Sequence, residues 1–190
     1  MKSARRRESD LTPVLDRKFV LDDLLAPGLR LVFCGTAAGN VSARLRQYYA
    51  HPQNRFWSIL WEIGLTPAEF RPSQYNELLA LGVGLTDIAK YASGMDHALP
   101  NDSLGPEACA ALRRRIVEIK PTFLAFTSLK AGRTFLGPAV HFGEQEALGV
   151  TRVWVLPSPS PAARRNWEAN KKWWRDLAEA AKPYLKSSLT

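Results

Sequence analysis

Cysteine, histidine and methionine are scarce in this chain: two, three and two in 190 residues. Cys34 and Cys109 have neither metal-ligand nor redox-motif spacing, which excludes a disulfide scaffold and a cysteine-based metal centre. They read as reduced thiols of an intracellular protein, expected in the cytoplasm with DNA. No apolar run approaches membrane-spanning length, so no membrane partner is expected. The opening MKSARRRESDL has charge but no apolar stretch behind it, which excludes a secretory signal. Internal repeats and low-complexity segments are also lacking.

Positive charge is abundant, with 26 Lys and Arg against 18 Asp and Glu and a formal net charge of +8. That balance favours a polyanionic partner. Residues 1–18 are polar, with Arg5, Arg6 and Arg7 in a row, and read as a solvated tail or as a basic arm for phosphates. Residues 19–190 are of a size for one domain with a substantial core. From residue 29 onward, strand-like and helix-like segments alternate. Strands are expected at 29–34, 84–88, 122–127 and 150–156, and helices at 55–64, 73–81, 106–120, 128–135 and 162–184. Alternation of this kind implies a three-layer α/β/α fold around a central, mainly parallel, four-stranded sheet.

The densest signal is LRLVFCGTAAGNVSARLRQYYAHPQNRFW, residues 29–57. Leu31-Val32-Phe33-Cys34 is uncharged and does not alternate, as in a buried parallel strand. The small residues Gly35-Thr36-Ala37-Ala38-Gly39 read as a turn that presents bare backbone N–H groups at the carboxyl edge of the sheet, where open α/β folds bind ligands. Tyr49 supplies a flat ring nearby, so a pocket for a planar heterocycle is expected, with Tyr48 as the rival ring.

Three segments resemble the mismatch-specific uracil-DNA glycosylase and thymine-DNA glycosylase family: Leu25 to Arg30 with the Phe33-Cys34-Gly35 strand end, the octet Ala50-His51-Pro52-Gln53-Asn54-Arg55-Phe56-Trp57, and Trp154 to Ser160. The resemblance covers residues 21–184. It implies the uracil-DNA glycosylase fold and a cofactor-free, metal-free, monofunctional enzyme. Such an enzyme flips uracil out of DNA, cleaves its N-glycosidic bond and leaves an abasic site. The partner implied is DNA with uracil or other deaminated or mispaired bases, bound by a monomer.

That chemistry needs donors aimed at the departing base and a positioned water. The geometry of the Gly35–Ala38 turn makes the backbone N–H groups of Thr36, Ala37 and Ala38 the candidate donors, and the resemblance places Tyr49 at the stacking position. Ser158 falls where relatives contact the base. Ser160 belongs to the loop that grips the strand, and Ala162 stands where relatives insert a bulky wedge. Arg164 and Arg165 are expected on phosphates. Where relatives carry the Asn that holds the attacking water, this chain has Ala37, whose methyl cannot orient it. Asp87, at the end of the second strand, is the expected substitute, and Asn40 the other candidate. His51 reads as structural. Along the terminal helix, Trp167, Trp174 and Ala178 are expected in the core, with Lys171, Lys172 and Arg175 on an exposed face. Loss of the Asn leaves open an enzyme for deaminated purines such as hypoxanthine, a lesion sensor that binds without cutting, or a binder of free nucleotides.

Overall fold

The computed structural model describes residues 18–100, 102–163 and 166–185. The tail expected at residues 1–18 therefore falls, except for Lys18, outside the described residues, as do Arg164 and Arg165.

Five strands form one sheet in the order β2-β1-β3-β5-β4. They are β1 (Leu31–Ala38), β2 (Val83–Ser93), β3 (Phe123–Phe126), β4 (Gly143–Leu148) and β5 (Thr151–Val155). All pairings are parallel except that of β4 with β5. The sheet thus has one strand more than the four expected. The sequence of β4, GEQEAL, carries two carboxylates and an amide and is largely exposed. Charge of this kind suits a sheet edge, where it discourages pairing with another chain, and it hides the strand from a hydrophobicity reading. The other edge, β2, is covered by the segment around Leu24, which exchanges backbone hydrogen bonds with Leu85 of 2.9 and 3.0 Å.

Among the described residues the α-helices are α1 (Asn40–Leu45), α2 (Phe56–Glu62), α3 (Pro106–Ile119), α4 (Leu129–Leu136) and α5 (Trp167–Ala181). Strand periodicity sends alternate β1 side chains to opposite faces. Leu31 and Phe33 pack with Phe56, Leu60, Trp174 and Leu177 on one side. Val32 and Cys34 pack with Leu112, Ile116, Ala131 and Phe135 on the other. Helices α2 and α5 therefore cover one face and α3 and α4 the other, the three-layer arrangement expected.

Strand β2 runs on to Ser93, past the expected end at residue 88, and two helix starts differ from expectation for local reasons. Residues 73–81 lie in a 3-10 helix, Pro72–Leu81, which Arg71 caps and Pro72 opens, one residue before the expected start. The terminal helix starts at Trp167, because Pro161–Ala163 forms a separate 3-10 turn before it.

Candidate active site

The residues between Gly35 and Ala38 do not turn. They continue β1, which corrects the expected strand end by four residues. Pairing with β3 stops at Cys34, opposite Phe126, while pairing with β2 continues through Gly35 opposite Asp87 and Ala37 opposite Ala89. The physical cause is that β3 gives way after Phe126 to Thr127-Ser128. Ser128 Oγ accepts from Ala131 N at 3.0 Å and starts α4 on the far face, while β1 leads into α1 and α2 on the near one. A crevice opens where two neighbouring strands send their chains apart. Backbone alternation turns the N–H and C=O of Thr36 toward this vacated side and those of Gly35 and Ala37 toward β2. Of the donors expected at Thr36, Ala37 and Ala38, alternation places Thr36 at the crevice and Ala37 at β2, and a register shift after Ala37 turns the Ala38 carbonyl to the β2 side, where it accepts from Gly94 N at 2.9 Å.

The crevice is a cleft of about 940 Å³. Gly35 to Asn40, Tyr49, Asp87, Thr127, Ser158, Ser160 and Ala162 all line it. Of the residues expected to bind substrate or DNA or to act in catalysis, it gathers every one that falls among the described residues.

Asp87 lies on the cleft floor and is 4% exposed. Its carboxylate occupies the space above Gly35: a Cβ at Gly35 would overlap Asp87 Oδ1 and stand 3.6 Å from the Tyr49 hydroxyl. Burial pushes the Asp87 carboxyl up to about 6, the Asp23 carboxylate adding to the rise and Lys90 and Arg115 opposing it. Behind it, Asp23 accepts from Lys90 Nζ and Thr86 Oγ1, both at 2.6 Å, and pairs with Arg115 Nε at 3.3 Å. Arg115 also donates to the Asp87 carbonyl at 3.4 Å. The site thus holds a carboxyl group that changes charge just below neutral pH, against a fixed ionic backing.

Tyr49 adopts a left-handed backbone, φ 52°. One face of its ring is stacked on Phe56 at 3.8 Å and 14°, and its hydroxyl shares a hydrogen bond of 3.2 Å with Thr127 Oγ1. Burial, with the Asp87 charge, raises the Tyr49 phenol well above its usual range, so it stays protonated. Tyr48 is instead a core residue whose hydroxyl donates to the Asp22 carbonyl at 3.1 Å. Its phenol is likewise pushed up by burial.

Asn40 is the first residue of α1, after the N-cap Gly39, and lies exposed on the cleft rim. His51 Nδ1 accepts from Gln53 N at 3.1 Å, and Asn54 Oδ1 accepts from Phe56 N at 2.9 Å. Both side chains organise the entry to α2. In the loop after β5, Ser158 Oγ accepts from Ser160 N at 3.2 Å and Ser160 Oγ from Ala162 N at 3.3 Å. Each hydroxyl spends a lone pair on the loop and keeps its proton to donate. Pro159 carbonyl accepts from Arg55 N at 3.0 Å, so the two most family-like segments of the sequence meet here.

A family model for the uracil DNA glycosylase superfamily matches residues 23–180, most of the chain. The chain belongs to the uracil DNA glycosylase superfamily. Among solved structures, the solution NMR structure of a candidate uracil DNA glycosylase from Methanosarcina acetivorans is similar, with a TM-score of 0.59 and 19% identity. The match covers 87% of this chain and 98% of that one, and at this identity it establishes a shared fold. Within the superfamily fold, the cleft at the carboxyl ends of β1 and β3 is where substrate chemistry is to be sought.

Sequence reasoning missed Thr127, the ionic group Asp23–Lys90–Arg115, and the loop after β2 with Met95 and His97 on the cleft wall. Thr127 carried a usable signal, since it ends the strand next to the first. Asp23 and Arg115 carried none, being 92 positions apart.

Proposed function

We propose that this superfamily member is a monofunctional uracil-DNA glycosylase of the mismatch-specific and thymine-DNA glycosylase type. The observation that carries the reading is the meeting of Asp87, Tyr49 and the unpaired edge of β1 on one cleft floor. The octet at residues 50–57 and the late loop at 157–160, joined through Arg55 and Pro159, support the family assignment.

Uracil flipped into the cleft stacks on the free face of Tyr49, the other being held by Phe56. Base–aromatic stacking contributes roughly 1–3 kcal/mol toward the unstacking cost. As the bond between C1′ and the base nitrogen breaks, its electron pair moves onto the base. The Thr36 N–H and the Ser158 hydroxyl donate to the oxygen where that charge collects. Water attacks C1′, and its proton passes to the Asp87 carboxylate, which also favours the cation-like sugar. Asp87 is preferred over Asn40 because it is buried on the floor, where charge interacts more strongly than on the exposed rim. Ser160, with Arg164 and Arg165, holds phosphates of the strand. Its substrate is DNA with uracil, including mispaired uracil, and the protein acts as a monomer without cofactor.

A second reading, removal of deaminated purines such as hypoxanthine, is favoured by the small side chains of Ala37 and Ala38, which leave width in a cleft of about 940 Å³. The test is to incubate excess protein with labelled oligonucleotides carrying uracil, thymine or hypoxanthine, single-stranded or paired with guanine or adenine, and to count alkali-induced breaks. Uracil release that Asp87→Asn lowers by about 10²–10⁴-fold, while Asn40→Ala leaves it, is the expected result. No release from any substrate, with salt-sensitive binding retained, makes the protein a lesion sensor.

A further inference from the structure

The loop after β2 and the loop after β5 flank the crevice from its two sides, as the strand order requires. On the β5 side, Ala162, where the family resemblance implies a wedge, offers the cleft only a single methyl group. On the β2 side, Gly94 N donates to the Ala38 carbonyl at 2.9 Å and Ala98 N to the Met95 carbonyl at 2.8 Å. This turn is pinned to the end of β1, and its Gly94, at φ 137°, has a backbone that other residues rarely adopt. The turn presents Met95 at the cleft wall with 54% of its surface exposed, although its neighbours Asp96 and His97 are polar.

Met95 is a large apolar side chain exposed on the rim of a cleft whose lining is itself more apolar than polar, so unstacked bases that enter the cleft can cover it. Methionine is unbranched and adapts to irregular gaps, and it is among the apolar residues that insert between base steps. We propose that Met95 is the wedge of this enzyme, entering the duplex from the β2 side and filling the space that Ala162 is too small to fill. The inference rests on the DNA-glycosylase reading above. Single-stranded substrate has no stack to hold open, so the wedge acts on duplex DNA alone.

Met95→Ala and Met95→Leu are compared with wild type on single-stranded and duplex uracil oligonucleotides. Release from duplex falls at least about tenfold in Met95→Ala, is restored in Met95→Leu, and is unchanged on single strands. Equal loss on both substrates, or no loss on duplex, overturns the proposal. Binding to duplex with a tetrahydrofuran abasic analogue decides separately. Wild type prefers it to intact duplex, and Met95→Ala abolishes that preference even if no base is released by any variant. Absence of the preference in wild type, or its persistence in Met95→Ala, overturns the wedge. Absence of base release overturns only the glycosylase reading.

Discussion

Gly35 and Asp87 make sense only together. The glycine leaves the space that the carboxylate fills, so a single methyl group added at Gly35 displaces the group proposed to handle the water. Gly35→Ala is expected to cost about 1–3 kcal/mol of stability, as overpacking does, and to lose base release out of proportion to that cost. Denaturant unfolding beside a glycosylase assay separates the two effects.

Asp87 also links pH to stability. Its carboxyl is raised from 3.8 to about 6, so the folded state holds the proton more tightly than the unfolded chain. The neutral form's stabilisation is complete below about pH 4 and is lost as pH rises through about 6, a change of roughly 3 kcal/mol across that window. Asp87→Asn removes this dependence, so the variant gains stability relative to wild type as pH rises from 4 to 8. Chemical denaturation at both ends of that range reads the difference. Base release by wild type runs the other way, increasing through about pH 6 as the carboxylate forms.

Among the elements, α5 does more than fill a core. Trp174 is fully buried, lies near-parallel to Phe33 at 5.8 Å and donates from Nε1 to the Pro157 carbonyl at 3.1 Å. The helix therefore holds the start of the loop that carries Ser158 and Ser160. Trp174→Phe keeps most of the ring and removes that donor, leaving the Pro157 carbonyl unpaired. A loss of about 1–3 kcal/mol in unfolding free energy is expected, together with a raised KM for DNA at little changed kcat.

Lys172 and Arg175 lie exposed on α5 as expected, whereas the Lys171 side chain is largely buried at 15% exposure, and all three cations are engaged. Lys171 and Arg175 pair with Glu62 at 2.8 and 2.9 Å, and Lys172 pairs with Asp176. Lys171 first, and then Arg175, hold the Glu62 carboxyl below its usual range. This face is the outer side of a helix–helix ionic contact rather than a row of free charges.

For the whole molecule, a net charge of +8 overstates the cations available for phosphates. Each phosphate neutralised contributes about −0.9 to the slope of log K against log salt. Replacing Lys171, Lys172 and Arg175 together by Gln is expected to change that slope by less than about one unit, because their partners already screen them. Titrations of labelled duplex at several salt concentrations measure it. A change of two or three units would place this face on the DNA.

Much of the molecule is legible from the residues alone. Uncharged runs such as Leu31-Val32-Phe33-Cys34 read as buried strands, and Pro106 and Pro121 bracket a helix that the structure ends at Ile119. The segments at 50–57 and 157–160 pointed to one site, and the cleft unites them. Local pattern could not reveal β4, whose polarity reflects its place at an edge, or the extension of β1, which needs β2 alongside it to count as strand. The ionic backing of Asp87 was equally hidden. The order of apolar and small residues determined the strands, the helices and the layers they form, because burial periodicity is a local property of the chain. Only the tertiary structure decided that Thr36 faces the crevice while Ala37 faces β2, that a carboxyl group rests on a glycine, and that Met95 stands across from Ala162, because each depends on which strands lie side by side.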